Sequence, residues 1–143
     1  MLNTILSSFL SIVFYTLGAL HIYWGLGGKR ALEQTLPTTT TGKKVLSPKL
    51  YHSMIVGIAL VSFGIFYFIK SGTIDIHLPD LISNYGGWFI SVLFSLRAVG
   101  DFKFVGLFKN VKETLFARLD TILFTPLCLT IGAVGVIQQL LEP

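Results

Sequence analysis

The chain has 143 residues, of which 52% are apolar and only 13% charged, with a formal net charge of +4. A soluble domain carries about a quarter charged residues, so this composition excludes an ordinary water-facing surface and points to a membrane protein. The length suits one domain, residues 1–143; the lone cysteine, Cys128, excludes an internal disulfide; and the basic residues gather in two loops, which is a topology signal and not a nucleic-acid-binding one.

A helix needs about 20 mostly apolar residues to cross a bilayer core. Leu2–Leu26 contains no Asp, Glu, Lys or Arg. It lacks a basic leading segment and exceeds the roughly 7–15 apolar residues of a secretory signal, so it reads as a mature span. "GLGG" at 25–28 follows no strand, and reads as a helix-ending turn rather than a dinucleotide fingerprint. The first loop, Gly27–Lys49, holds Lys29, Arg30, Lys43, Lys44 and Lys49 around "LPTTTTGKKVLSP". Pro37, Gly42 and Pro48 make it an irregular connector, either a solvated linker or a lid over a site. Tyr51–Ile69 is the second span. The connection Lys70–Ser83 sets Lys70 against Asp75 and Asp80. Asn84–Gly100 is the third span, ending on Arg97 and leading into Asp101. Lys103, Lys109 and Lys112 follow, and Leu119–Leu141 is the fourth span, entered through Arg118 and Asp120. Pro126 within it removes a backbone hydrogen bond and predicts a bend. The expected fold is all-α, an integral membrane four-helix bundle.

Small residues let helix backbones approach each other in lipid. Such stripes run along each span: Ser7, Ser11, Gly18, His21 and Gly25; then Ser53, Gly57 and Gly64; then Gly87, Ser91, Ala98 and Asp101; then Thr121, Thr125, Cys128, Gly132 and Gly135. Spacings of three and four keep each set near one face. This places His21 and Asp101 among inward positions.

Ten of the eleven Lys and Arg residues fall at the first and third connections. Positive-inside then makes loops 27–49 and 101–117 cytoplasmic, with both termini outside a cytoplasmic (inner) membrane. The spans alternate in direction, so His21, Tyr23 and Trp24, Tyr51 and His52, Arg97 and Asp101, and Arg118 and Asp120 share one face. The other half offers little except Asn84, Tyr85 and Trp88, which suit an interfacial belt. Arg97 and Asp101 are spaced for an i,i+4 pair. Arg118 and Asp120 are two apart and predict partners on other helices.

This cluster supports several chemistries. His21 with Asp101 or Asp120 is a candidate acid–base pair, if they touch. Arg97 and Arg118 can hold a phosphate or carboxylate such as a lipid headgroup, with Trp24 and His52 beside it. His21 and His52 are weak candidates for metal or haem ligation, because no His–x–x–x–His or Cys–x–x–Cys spacing exists. No P-loop or nucleophile elbow is present, and the sequence specifies no cofactor or enzymatic reaction.

"HIYWGLGG", the proline of "TLP", "LRAVGDFKFVGLFK", "FARLDT" and "TPLCL" together resemble a bacterial family of small membrane proteins, catalogued as domain of unknown function three-nine-nine-five. The resemblance covers nearly the whole chain. It implies a four-helix membrane protein with His21, Trp24, Arg97, Gly100, Asp101, Arg118 and Asp120 as signature residues, and carries no activity. Two functional readings follow. The first is a protein that binds or acts on a lipid-like or amphipathic molecule, which requires a cavity between helices open to the polar residues. The second is a structural or accessory subunit whose charges lock the bundle or dock a protein partner, which requires saturated ion pairs and no cavity. A third, weaker reading is a redox or metal protein.

Overall fold

The computed structural model describes residues 1–45 and 49–141; Pro48 of the first loop lies outside them. Four helices follow in order: α1 (Leu2–Gly25), α2 (Leu50–Lys70), α3 (Asp80–Val99) and α4 (Leu115–Leu140). A short 3-10 turn, Leu32–Thr35, lies in the first loop. Among the described residues there is no strand, only an isolated bridge between Thr38 and Lys44. α1, α2 and α4 are long and apolar enough to cross a membrane. The 20-residue α3 is more polar, opening on Asp80 and carrying Gly86, Gly87 and Arg97.

The bundle is apolar outside. Ile5 and Ile12 on α1, Ile55 and Ile58 on α2, Phe89 and Leu96 on α3, and Ile122 on α4 are all exposed. Hydroxyls on this surface satisfy themselves within their own helix. Thr16 donates to the Ile12 carbonyl, Ser62 to Ile58 and Thr130 to Pro126. That back-bonding removes the cost of an unsatisfied polar group facing hydrocarbon.

The small-residue stripes lie inside, where they set the helix spacing. A Cβ on Gly18 would stand 2.7 Å from Val61 Cγ2, and one on Gly57 2.9 Å from the Ile22 nitrogen. Ser11 donates across this α1–α2 seam to the Gly64 carbonyl at 2.9 Å. Gly132 and Gly135 of α4 take the side chains of Ser95 and Ser91 on α3 in the same way. The bundle is thus two close helix pairs, α1 with α2 and α3 with α4. Phe14 joins them. Its ring stacks on Tyr67 of α2 at 5.7 Å and meets Phe94 of α3 edge-on at 5.2 Å.

Two regions differ from the sequence expectation. The half holding Asn84 and Trp88 is not simply apolar, because Gln138 and Gln139 are buried there and Gln139 Nε2 donates to Gln138 Oε1 at 2.6 Å. In α4 the anticipated bend at Pro126 is taken up by a π turn over Asp120–Phe124, after which α-helix resumes at Thr125. Pro126 has no N–H to offer the preceding turn, and the Thr125 N–H reaches back five residues to the Asp120 carbonyl.

Candidate functional site

The α3–α4 connection is built around a close backbone crossing. Gly100 ends α3 at φ +87°, and a Cβ there would overlap the Val105 carbonyl. Gly106, at φ +90°, lies too close to the Val99 carbonyl to admit a Cβ. Only glycine fits both conformation and space. Asp101 organises the turn between them. Its Oδ1 accepts the N–H groups of Lys103 at 3.0 Å, Phe104 at 2.7 Å and Val105 at 2.9 Å. Burial works to raise the Asp101 carboxyl, but the N–H groups of Val105, Phe104 and Lys103 outweigh it and hold the group below its ordinary range. Asp101 therefore does not pair with Arg97 as the spacing suggested. The helix stops at Val99, so the i,i+4 geometry is never formed, and the carboxylate turns to the loop.

Arg97 instead reaches Asp120, with Nη2 donating to Oδ1 at 3.0 Å. Asp120 is fully buried and gathers four donors. Beside Arg97, its Oδ2 accepts Lys109 Nζ at 2.9 Å, the Gly106 N–H at 2.8 Å and Thr125 Oγ1 at 3.1 Å. Thr125 is five residues on, a reach consistent with the wide π turn. Lys109, 4% exposed, also donates to the Gly106 carbonyl at 3.1 Å. This knot ties α3, the loop and α4 together. Lys109 had been legible only as a topology charge. Nothing in "GLFKN" separates a buried lysine from a solvated one.

Beside the knot, a cavity of about 430 Å³ opens between the two helix pairs. Its volume lies in the range of small-molecule pockets, about 300–1,000 Å³. Leu17, Leu20, Val56, Leu60, Phe94 and Leu127 supply apolar wall. The polar lining is His21, Thr35, His52, Ser53 and Arg97, and Cys128 faces it from α4. Leu32 and Thr35 of the 3-10 turn and Leu36 just after it cover it, so the first half of the loop is a roof over a cavity. Trp24 pins that roof by donating Nε1 to the Arg30 carbonyl at 3.0 Å. It is 5% exposed and lines the cavity itself. The threonine run beyond Pro37 is the solvated part, with Thr40 and Thr41 exposed.

Hydrogen bonds assign the histidine tautomers. His21 Nδ1 lies 2.8 Å from the Leu17 carbonyl, which can only accept, so neutral His21 carries its proton on Nδ1 and leaves Nε2 as an acceptor. His52 Nδ1 accepts the Lys49 N–H at 3.1 Å, so its proton sits on Nε2. One ring presents an acceptor and the other a donor at the same cavity. That arrangement suits a polar ligand better than two ring lone pairs sharing a metal. Among the described residues no three His, Cys, Asp or Glu side chains converge.

Arg97 belongs to both features. It lines the cavity, and its Nη1 is buried with no hydrogen-bond partner among the described residues. The other cluster members lie elsewhere. Asp101 and Arg118 are exposed, and neither lines the cavity. Asp120 is enclosed in the knot. His21 donates Nδ1–H to the Leu17 carbonyl of its own helix, and among the described residues it makes no hydrogen bond or ion pair with a carboxylate.

Neither the curated proteins nor the solved structures contain a match to this chain. Residues 14–135 match the family described as "Protein of unknown function (DUF3995)". That span takes in the cavity, its roof and the Asp120 knot, and the chain belongs to this family.

Proposed function

We propose that the protein binds a lipid-like or amphipathic small molecule, with the polar end at Arg97, His21 and His52 and the apolar part along Leu17, Leu60, Phe94 and Leu127. The observation that carries this reading is a largely apolar cavity of about 430 Å³ in which Arg97, its side chain 36% exposed, is the one Lys, Arg, Asp or Glu among the described lining residues. A guanidinium on an apolar wall is matched by an anionic or polar ligand head, through charge-assisted hydrogen bonds. The cavity lies at the end of the bundle holding most of the basic residues. Positive-inside places that end at the cytoplasmic face and both termini outside.

The structural reading keeps one specific support, the Asp120 knot. Its carboxylate is saturated and its role is to lock α3 to α4. The two readings divide the polar cluster between them. The test is lipid and small-molecule extraction from protein purified in mild detergent, compared with Arg97→Gln. Asp120 keeps Lys109, Gly106 and Thr125 in that variant, so it should fold. A co-purifying amphipath present in the wild type and depleted in Arg97→Gln is the expected result. Equal content in two folded proteins, or none in either, overturns the reading.

A further inference from the structure

The charges around the cavity specify more than an amphipath. Two cations, Arg97 and Lys109, share one carboxylate, Asp120. Lys109 is 4% exposed and Asp120 not at all, while the Arg97 side chain, 36% exposed, is the member of the group that lines the cavity. The knot therefore carries one excess positive charge. No other Lys, Arg, Asp or Glu lines the cavity. The nearby Lys44–Glu33 pair is exposed and neutral as a unit. Beside a largely apolar wall, the group that complements one excess positive charge is a single negative charge.

Resting on the binding reading above, we infer that the site selects a monoanionic head group: a monocarboxylate or a phosphodiester attached to an apolar chain. One such group brings the site to neutrality and accepts from the Arg97 guanidinium. Its remaining oxygen lone pairs suit the Nε2–H of His52. A phosphate monoester dianion overshoots to a net negative site. A neutral or zwitterionic head leaves the excess charge in place. The two monoanion sources are a free amphipathic acid and a phosphodiester lipid, and they share this chemistry.

The test uses the full chain in detergent and four ligands with one matched alkyl chain: a carboxylate, a methyl phosphodiester, a phosphate monoester held as the dianion, and an alcohol. Two readouts are taken. One is protection of Cys128, the sole cysteine and a cavity residue, from a maleimide; the other is thermal stabilisation. The carboxylate or the diester should bind about tenfold or more tightly than the monoester and the alcohol. Which of the two leads identifies the source. Lys109→Met should then move the optimum by one charge, so that the alcohol gains on the carboxylate by about tenfold. Asp120 keeps Arg97, Gly106 and Thr125 in this variant. Should it not fold, the wild-type series decides alone. A wild type that takes the alcohol or the monoester as well as the monoanions overturns the inference and leaves the binding reading intact. Absence of protection and stabilisation by all four overturns the binding reading itself.

Discussion

Arg97 sits between two regions at the same end of the bundle that treat polarity in opposite ways. In the Asp120 knot every acceptor has a donor, the carboxylate is fully buried, and three parts of the chain are tied by it. In the cavity a few polar groups, among them the Arg97 guanidinium and the His21 and His52 rings, are spread over an apolar wall. A saturated network rigidifies; an unsaturated one stores a binding preference. The difference shows that a run of charges at a helix end can be part lock and part site, divided within a single guanidinium.

The largest effect should come from breaking the lock. Asp120→Ala leaves Arg97 and Lys109 with no buried counter-charge, and loss of about 3–5 kcal/mol is expected. Thermal or denaturant unfolding in detergent measures it, and a variant as stable as wild type would show that the knot does not hold α3 to α4. Next is the crossing that delivers Gly106 to Asp120. Gly100→Ala meets both the left-handed φ and the Val105 carbonyl, which should cost about 1–3 kcal/mol, with loss of the Gly106–Asp120 contact visible as faster amide exchange at Gly106. On the cavity side the pattern should invert. His21→Leu removes a hydrogen bond made within one helix, so stability should change by under about 1 kcal/mol, while ligand protection of Cys128 weakens. A large stability loss without change in protection would move His21 to the lock.

The smallest effect concerns acid. The Asp101 carboxyl is held below its unfolded value of about 3.9. Its stabilising contribution is complete above that value and is lost as pH falls through the lower folded one. Amide protection of Lys103, Phe104 and Val105 should therefore fall only below about pH 4, and Asp101→Asn should flatten the dependence. A wild-type transition near neutral pH would contradict this assignment.

The elements were close to legible. The apolar run Leu2–Leu26 became Leu2–Gly25, and Tyr51–Ile69 became Leu50–Lys70, because hydrocarbon compatibility is a local property of the side chains. The third and fourth helices begin four residues earlier than their apolar runs, at Asp80 and Leu115. A first turn tolerates an acid such as Asp80, whose charge suits the helix dipole. Trp24 read only as a neighbour of the polar cluster, yet it is buried and braces the roof. A tryptophan at a helix end looks the same in both roles until the chain after it is placed.

By itself the sequence determined the helical class, the spans, the inward stripes of small residues and the gathering of polar side chains at one end. These follow from hydropathy, helical period and alternation of direction, each read over a few residues. Only the tertiary structure decided the pairings. Arg97 lies four residues from Asp101 and twenty-three from Asp120, and it chose the distant partner because Gly100 ends the helix and the loop returns Lys109 and Gly106 to the same carboxylate. Charge pairing depends on distance in space, which spacing along the chain reports only while the helix continues.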